Sequence, residues 1–436
     1  MNNLPSGLKK VVLISFYFFP CTLTPSQRIS YWAKHLHKLG LYPIVITREW
    51  SENIKSHFDT KMPMGDKVRH VKHKHYEVYY LPFRPGILDR AYIKWGENKL
   101  RPLFLMTKVL DVILAGFSLK FTSYSNFFPF LKELLYKEKV SNLLISGEPF
   151  YLFRIGYKVH QLFQVKWFAD YRDDWSTSEV DRRKGAGALR KLIFKIESFY
   201  EKKWVGTADA VISVSENYTD RIATFLRKSG IVIENGFEET ILDLPPQPLF
   251  ENFTLVYSGT LYPSQQVMII LDALKLALQK GMPFNLVFLG TGFDVKEKRR
   301  IDKIVDPAIK PYVEITERMP RVDALIYLQR SHAVLGIAHG GLKGIPSSKL
   351  YEYIGLKKPV LLAPTDYDIM EKILREVGLG FFAVDSETCL KEIEKIRILY
   401  EKKGVDSKFK ASDEQVLKYS RFVQMSKISA LIGPTV

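Results

Sequence analysis

The feature that most restricts the fold is a buried apolar run that leads into a helix and then into a second apolar run. Residues 11–16 are apolar and follow two lysines, as expected for a strand buried on both faces of a parallel sheet. Residues 26–36 carry apolar side chains at helical spacing, and residues 43–47 form another apolar run. This order predicts a βαβ unit, in which ligands gather at the carboxyl ends of the strands.

The same alternation begins again in the second half of the chain. Three prolines lie within residues 242–248, which predicts a linker between two domains. After it, an apolar strand is predicted at residues 253–261, a helix at 267–280 and a strand at 284–289. The sequence therefore predicts an α/β protein with two domains of similar design.

The composition allows large cores and favours anionic partners. The 436 residues are 46% apolar and 13% aromatic, so the chain can fill more than one domain core. The net charge is +17 and is spread along the chain, which favours acidic lipid surfaces or phosphorylated substrates. No zinc-finger spacing or RNA-recognition signature is found, so nucleic acid is not expected as a partner.

The cysteines and the N-terminal region predict a cytoplasmic protein. Cys21 and Cys389 are too far apart in sequence to indicate a metal cluster or a disulfide framework, so reduced thiols are the simpler interpretation. The first apolar run has no small-residue cleavage site and is explained better as a strand than as a secretory signal. Residues 103–119 are apolar, but Lys108 and Asp111 interrupt them too much for a membrane span.

Two segments are candidates for contact with the inner face of a membrane. Residues 88–130 are rich in large apolar side chains with scattered basic ones, which predicts either an amphipathic hairpin at a membrane or internal helices, with the internal helices slightly favoured. Residues 182–204 predict a helix with one apolar side and one dense Lys/Arg side. That basic side is either solvated or in contact with acidic lipid, so an anionic membrane surface is a candidate partner.

The strongest candidate for a binding site lies in residues 345–362. Ser347 or Ser348 can cap a short helix, because a hydroxyl accepts a backbone N–H at the helix start. The free N–H groups, the helix dipole and Lys349 all favour an anion there, and Glu352 lies three residues further along. A phosphate at the helix start and a carboxylate for sugar hydroxyls describe a nucleotide-sugar pocket. An ordinary capped helix with a surface ion pair explains the same residues about equally well.

Glycine-containing turns follow several strands of the predicted second domain. Glycine lets a backbone approach a diphosphate closely, and each turn alone is weak evidence for such a contact. The residues at these turns are Ser258, Gly259, Thr260, Gly290, Gly292, His339 and Gly340.

The first domain has its own candidate residues at strand ends. Gln27 and Arg28 lie at the start of the first helix and face the predicted crevice, although Gln27 also fits a solvated helix terminus. An apolar strand at residues 166–169 runs directly into three carboxylates and an arginine, which is costly unless the charges pair or bind a ligand. Asp170 and Arg172 form either a structural pair or part of a site, and Asp173 or Asp174 is a candidate for meeting acceptor hydroxyls.

Taken together, these motifs resemble the family 4 retaining glycosyltransferases of the GT-B fold, which has two facing Rossmann-like domains with an interdomain cleft. The resemblance covers nearly the whole length, with residues 50–130 least clear, and depends on the order and spacing of several motifs. The residues that carry it are 17–20 with Gln27 and Arg28, 170–175, 208–215, 257–261 and 346–353.

The resemblance implies two domains with separate tasks. Residues 1–240 plus 413–436 would bind the acceptor, with a final amphipathic helix at about 413–431 crossing back onto them. Residues 249–412 would bind a nucleoside-diphosphate sugar. The acceptor would be a glycan or a lipid-linked molecule, in cell-surface polysaccharide synthesis.

By the same resemblance, Glu352 corresponds to the second carboxylate of the family's E-x7-E element, which holds the nucleotide ribose. The first carboxylate is replaced by Gly344, and Thr260 and Gln266 stand where a diphosphate-binding Arg and Lys are usual. Lys349 and the start of its helix are predicted to hold the diphosphate instead. The predicted donor-binding set is Ser258, Gly259, Thr260, Gly290, Gly292, Arg321, His339, Gly340, Ser347, Ser348, Lys349, Leu350 and Glu352. The acceptor set is Gln27, Arg28, Asp170, Arg172 and Asp173, and the catalytic set is Asp173, Lys349 and Glu352.

The chemistry implied by the resemblance needs stabilisation of the leaving diphosphate more than a strong base. No Asp-x-Asp motif is placed at a strand end, and a helix dipole with a lysine can replace a divalent ion, so no metal or other cofactor is expected. Two alternatives stay open. One is a sugar-nucleotide epimerase, although no clear set of acid/base residues is seen. The other is a catalytically silent scaffold at a membrane, which the departure at Gly344 favours.

Overall fold

The computed structural model describes residues 8–52, 54, 58–99, 101–178, 188–403 and 411–432. They form two compact units, Met1–Ile233 with Met425–Val436, and Glu234–Gln424. Residues 234–240 and 413–424 therefore group with the second unit, whereas the sequence analysis assigned them to the first. Each unit is built on its own parallel-rich sheet.

The first unit contains a sheet in the order β3-β4-β2-β1-β5-β6-β7-β8. All neighbouring pairs among the described strands are parallel except β3 with β4 at one edge. The central strands are fully buried because helices cover both faces of a parallel sheet. The strands are β1 Lys9–Ser15, β2 Leu41–Arg48, β3 Arg69–Lys72, β4 Glu77–Leu81, β5 Asn142–Gly147, β6 Lys166–Tyr171, β7 Ala210–Ser213 and β8 Gly230–Val232.

The helices of the first unit confirm the internal interpretation of residues 88–130 in part. Buried side chains such as Val112 and Ala115 face inward, whereas Phe117 is 75% exposed. Residues 179–187 lie outside the described residues, so the start of the helix predicted at 182 does too. The described helices are Thr24–His35, Ile87–Lys99, Arg101–Phe117, Phe127–Lys137, Phe153–Leu162, Ala188–Val205, Glu216–Leu226 and Ile428–Ile432.

The second unit contains a fully parallel sheet in the order β11-β10-β9-β12-β13-β14. Counted along the chain, this is the order 3-2-1-4-5-6 of a doubly wound nucleotide-binding fold. Its strands are β9 Thr254–Ser258, β10 Asn285–Leu289, β11 Val313–Ile315, β12 Ala333–Gly336, β13 Val360–Leu362 and β14 Gly380–Phe382.

Helices pack on both faces of this second sheet and close two apolar cores. Helix Met268–Gln279 shows the pattern, because Ile270, Leu271 and Leu274 are buried at helical spacing against one face. The described helices are Met268–Gln279, Val295–Ile304, Arg321–Arg330, Ser348–Gly355, Ile369–Val377, Ser386–Lys403, Asp413–Leu417 and Arg421–Ser426.

The prediction of one amphipathic helix over residues 413–431 is wrong. The chain forms three short helices there, Asp413–Leu417, Arg421–Ser426 and Ile428–Ile432. The break has a local cause, since the Arg421 N–H donates to the Phe237 carbonyl (2.7 Å) and the Phe237 N–H donates to the Tyr419 carbonyl (3.1 Å). Backbone groups that pair with residue 237 cannot also continue a helix.

Across the described residues, no helix combines the length and apolar character that a membrane span needs.

Candidate functional site

The candidate site of the second unit lies where the strand order of its sheet reverses. Strand β9 pairs with β10 on one side and with β12 on the other, so the connections leave the sheet in opposite directions at this point. A crevice forms outside the carboxyl ends of such strands and is where doubly wound folds bind ligands. β9 ends at Ser258, and Gly259 and Thr260 follow it.

Gly259 lets Lys349 lie directly over the end of β9. Its φ of +108° lies in a region that favours glycine, and a Cβ there would lie 3.2 Å from Lys349 Cε. The Gly259 carbonyl accepts a hydrogen bond from Thr291 Oγ1 (2.8 Å). The backbone at this strand end is therefore fixed by Thr291, and the Lys349 side chain lies against it.

Helix Ser348–Gly355 has the predicted serine cap and ends at a glycine. Ser347 Oγ accepts the Lys349 N–H at 3.3 Å, which confirms a serine cap at the helix start. Gly355 is required because a Cβ would lie 2.7 Å from the Phe237 ring. Tyr353, on the buried face, accepts the Ser258 N–H at its hydroxyl (2.9 Å). That bond fixes the helix to the end of β9.

Glu352 places one carboxylate between two cations at the helix start. Its side chain is buried, with Lys349 Nζ 3.4 Å from Oε2 and Arg321 Nε 3.5 Å from Oε1. The two cations exceed the one carboxylate, and the helix start adds further positive potential. The structure thus brings together Lys349, Glu352 and Arg321, three residues that the sequence analysis placed in one set.

Arg321 also pairs with a second carboxylate, that of Glu238, and its Nη2 atom donates to neither carboxylate. Its Nη1 lies 3.0 Å from Glu238 Oε2, and Arg421 Nη1 lies 2.8 Å from the other oxygen of Glu238. Within the described residues, Arg321 Nε and Nη2 are buried and make no hydrogen bond; Nε is in the ion pair with Glu352, so Nη2 is the donor without a partner. Buried donors of this kind normally find an acceptor, and a bound anionic oxygen would supply one. Sequence reasoning missed Glu238 and Arg421 because both lie far from Arg321 in the chain.

The N–H groups of three predicted glycines are already engaged. Gly259 donates to the Leu289 carbonyl (2.9 Å), Gly290 to Thr316 Oγ1 (2.8 Å) and Gly292 to the Thr316 carbonyl (2.9 Å). These glycines let neighbouring backbones approach, and any contact with a diphosphate must come from other atoms. Thr260 follows Gly259, over which Lys349 lies. Within the described residues, no group accepts a hydrogen bond from the Thr260 N–H.

His339 and Gly340 form one wall with the loop after β9. Ser264 Oγ lies 2.8 Å from His339 Nδ1, and the Gly340 N–H donates to the Ser264 carbonyl (3.0 Å). Buried Gln265 donates to the Ile337 carbonyl at 2.7 Å. The two loops are therefore joined, and Gln265, which no sequence signal marked, is their main link. Leu350 is fully buried in the core, so its side chain serves packing.

Gly344 stands where the resemblance predicts the first carboxylate of the E-x7-E element. Its φ is +73°, which is strained for a residue with a side chain. Its N–H donates to Asp368 Oδ2 at 2.5 Å. A glutamate at this position would therefore have to adopt a strained backbone.

In the first unit, two predicted acceptor residues form a buried ion pair instead. Arg28 Nη2 lies 2.9 Å from Asp170 Oδ1, and both side chains are almost completely buried. Asp170 also accepts from Ser146 Oγ (2.9 Å), and Arg28 donates to the Ile233 carbonyl (2.8 Å) and stacks over Trp32. The proposed pairing of Asp170 with Arg172 is wrong, because Asp170 pairs with Arg28. This arrangement ties β5, β6 and the first helix together.

The remaining charges after β6 spread into different environments. Arg172 Nη2 lies 3.4 Å from Asp173 Oδ2, and the Asp173 side chain is 54% exposed. Within the described residues, Arg172 Nη1 is buried without a hydrogen bond. Asp174 pairs with Arg221 at 2.9 Å, and burial raises its pKa to about 6. Asp173 is therefore the exposed charge at this strand end, and Gln27, which precedes Arg28, is half-buried.

Two titratable groups of the first unit were missed by sequence reasoning. Tyr17 stacks on Trp50, and burial, followed by the charge of Glu148, raises its pKa to about 12. Glu201 accepts hydrogen bonds from the Tyr171 hydroxyl (3.0 Å) and the Ser176 N–H (3.0 Å), and burial raises its pKa to about 7. Neither could be found from spacing, since both environments are assembled from distant segments.

Among the described side chains, no group of three or more His, Cys, Asp or Glu residues is arranged to hold a metal ion.

Comparisons with known proteins identify the architecture. No protein-family model matches the sequence, and no curated protein sequence matches it either. The structure is similar to sucrose-phosphate synthase from Thermosynechococcus elongatus, with a TM-score of 0.62, 15% identity and coverage of 97% of this chain and 98% of that one. The chain has the GT-B fold.

Two further solved structures are similar over the same extent. One is a glycosyltransferase from Rickettsia africae, with a TM-score of 0.59, 13% identity and coverage of 97% of each chain. The other is the catalytic domain of starch synthase IV from Arabidopsis thaliana bound to ADP and acarbose, with a TM-score of 0.58, 12% identity and coverage of 98% of this chain and 99% of that one. At such identities the likeness shows the fold and leaves the chemistry to the residues of the site.

Proposed function

We propose that this protein is a family 4 retaining glycosyltransferase that moves a sugar from a nucleoside-diphosphate sugar to a glycan or a lipid-linked acceptor. The observation that carries the proposal is the cluster of Lys349, Glu352 and Arg321 at the switch point of the second sheet. It supplies cations for a diphosphate and a carboxylate for ribose hydroxyls. Support also comes from a structure of the same fold that was solved with ADP bound.

In this proposal, Lys349 and the N-terminus of its helix bind the diphosphate. Charge develops on that group as the bond to the sugar breaks, so preorganised positive potential lowers the barrier. The Arg321 Nη2 donor and the Thr260 N–H would add hydrogen bonds to the same oxygens. The acceptor hydroxyl attacks from the side of the leaving group, and its proton passes to the departing diphosphate oxygen. Asp173 is proposed as the residue that binds the acceptor. No step requires a metal ion, and the reaction takes place in the cytoplasm.

The experiment is a donor panel. Nucleoside diphosphate released from UDP-, GDP-, ADP- and dTDP-sugars is measured for the native chain and for Lys349→Ala. The substitution removes the positive charge that contacts the diphosphate. We therefore expect the donor dissociation constant to rise roughly tenfold, which is about 1.4 kcal/mol.

The matched control is Lys357→Ala. This lysine lies just beyond the other end of the same helix, where it pairs with Asp413. Its loss should leave donor affinity unchanged. Equal effects of the two substitutions would remove Lys349 from the site, and a native chain that releases no nucleoside diphosphate from any donor would favour the silent scaffold.

A membrane surface is part of the same proposal. Phe117 and Phe199 are 75% and 60% exposed, and they flank Gly116 and Tyr200, whose helices meet so closely that a Cβ on Gly116 would clash with the tyrosine ring. Arg154 binds the carbonyls that end helix Arg101–Phe117. Exposed aromatic side chains beside cations fit the interface of an anionic bilayer. The exposed lysines nearest in sequence are Lys120, Lys195, Lys202 and Lys203.

Cosedimentation with vesicles tests this contact. The native chain should bind vesicles that contain phosphatidylserine, and the double substitution Phe117→Ser and Phe199→Ser should weaken binding severalfold, because two apolar side chains no longer enter the interface. Binding that is the same for neutral and anionic vesicles, or unaffected by the substitutions, would contradict the assignment.

A further inference from the structure

A cavity lies at the end of the second unit's sheet opposite to the Lys349 cluster. It has a volume of about 450 Å³ and opens at the amino ends of β9, β10 and β11, beside the end of helix Arg321–Arg330. The cluster around Lys349 lies at the carboxyl ends of the same parallel strands. The cavity is therefore separate from the proposed donor site, and its volume is within the range of pockets that hold small ligands.

The strand register builds the floor of this cavity. Thr254 is paired with Asn285, and Val287 with Glu314. Because side chains alternate along a strand, these four residues lie on one face of the sheet. The floor therefore carries a hydroxyl, an amide and a carboxylate around one apolar side chain.

Aromatic rings form the walls. Phe250 and Tyr327 lie with their ring centroids 4.9 Å apart, and Tyr312 lines the cavity from the start of β11. The Arg330 guanidinium covers the Phe250 ring at 4.4 Å, and the Phe250 N–H donates to the Arg330 carbonyl at 2.9 Å. This wall is thus fixed both by backbone and by stacking.

Polar groups of both kinds face the same space. Tyr327 donates its hydroxyl to Glu314 Oε2 at 3.2 Å, and burial raises the pKa of this phenol to about 12, so it stays protonated. Arg330 Nε is buried and, within the described residues, makes no hydrogen bond. Glu251 and Asn252 complete the rim. The cavity offers donors and acceptors together, and one buried donor lacks an acceptor.

We propose that this cavity binds a neutral saccharide, one sugar unit of a glycan, as a second carbohydrate site outside the reaction centre. Sugar hydroxyls both donate and accept, which suits carboxylates, amides and a guanidinium in one pocket. The aromatic rings offer apolar surface to the C–H faces of a sugar ring. A phosphorylated ligand is disfavoured because Glu251 and Glu314 outnumber Arg330. This inference does not depend on the transfer reaction.

Saturation-transfer NMR on the full chain tests it. The probes are the methyl glycosides of glucose, galactose, mannose and N-acetylglucosamine, with methyl cyclohexyl ether as an apolar control without hydroxyls. At least one glycoside should receive saturation at its ring protons, and the control should not. The isosteric substitution Glu314→Gln and the substitution Tyr327→Phe should each weaken that binding about tenfold, since the first replaces a charged acceptor oxygen by an amide and the second removes a hydroxyl.

The control variant is Lys349→Ala. It alters the carboxyl ends of the strands, away from the cavity, and should leave glycoside binding to the cavity unchanged. Melting temperatures of all three variants within a few degrees of the native chain would establish that they fold. The proposal is overturned if no glycoside receives saturation at tens of millimolar, or if Lys349→Ala abolishes binding while Glu314→Gln and Tyr327→Phe keep it. Displacement of the glycoside by inorganic phosphate would likewise overturn it, because the cavity would then be an anion site.

Discussion

The two units use ion pairs at the carboxyl ends of their sheets in opposite ways. In the first unit, Arg28 and Asp170 are buried, and each has further hydrogen-bond partners. In the second, the Lys349 and Arg321 side chains are about one-third exposed around the buried Glu352, and Arg321 Nη2 makes no hydrogen bond within the described residues. A saturated buried pair holds strands together, whereas an unsaturated and accessible one has capacity for a ligand.

The sharpest way to break this comparison is to remove one partner of the buried pair. Arg28→Met leaves the Asp170 carboxylate without its cation, and an uncompensated buried charge costs about 3–5 kcal/mol. We expect urea unfolding, followed by fluorescence of the first unit's tryptophans, to shift by that amount.

The double substitution Arg28→Met with Asp170→Asn should recover part of this loss, because no charge then stays buried. A loss below about 1 kcal/mol for Arg28→Met alone would show that the pair behaves like an exposed one.

A second test concerns the buried carboxyl of Glu201, whose pKa is raised from 4.5 to about 7. The folded state then binds its proton more tightly than the unfolded state. This contribution to stability is fully present below about pH 4.5 and is lost as the pH rises through about 7. The shift corresponds to about 3 kcal/mol at 1.36 kcal/mol per pH unit.

Urea unfolding of the native chain and of Glu201→Gln between pH 5 and pH 8 measures this loss. The native chain should lose stability relative to the variant as the pH rises, since the amide cannot ionise. Parallel pH profiles for the two proteins would refute the assignment. Asp174, with a pKa raised to about 6, remains in both proteins, and its charge also contributes to the raised pKa of Glu201.

The smallest expected effect is that of a substitution at Gly259 in the second unit, which tests whether the position of Lys349 matters for binding. Gly259→Ala adds a Cβ at a φ of +108° and 3.2 Å from Lys349 Cε, so it should cost about 1–3 kcal/mol and displace the lysine. Donor affinity, measured by calorimetry, should fall together with stability.

Gly281→Ala is the matched control for this test. Its φ is +71°, but a Cβ there meets no neighbour, so only stability should change. If both substitutions left donor affinity untouched, the position of Lys349 over Gly259 would be irrelevant to binding.

The sequence predicted those parts of the molecule that depend on neighbours along the chain. The buried strands at residues 11–16 and 43–47 and the serine cap before Lys349 follow from local patterns, and the structure confirms them. The grouping of Lys349 with Glu352 likewise follows from helical spacing.

The parts that sequence reasoning missed depend on partners distant in the chain. Arg28 finds Asp170 from 142 residues away, so no spacing rule could tell an acceptor contact from a structural pair. Arg48 is another case, since it is buried against the rings of Phe83 and Trp50 although it ends a strand where a solvent-exposed charge would be expected. In both, tertiary contacts decide the role of the charge.

The pairing of Phe237 with Tyr419 and Arg421 has a consequence for how the second unit can be exchanged between genes or isolated. Residues 237 and 419–421 are hydrogen-bonded neighbours near the beginning and the end of the second unit. That unit therefore resembles a cassette whose entry and exit lie side by side. A gene segment encoding such a cassette can be excised, replaced by a homologous one or rejoined end to end with a short linker, because its two ends need to span little distance. Exchange of the whole second unit between related genes would thus join chain ends that are neighbours in the fold.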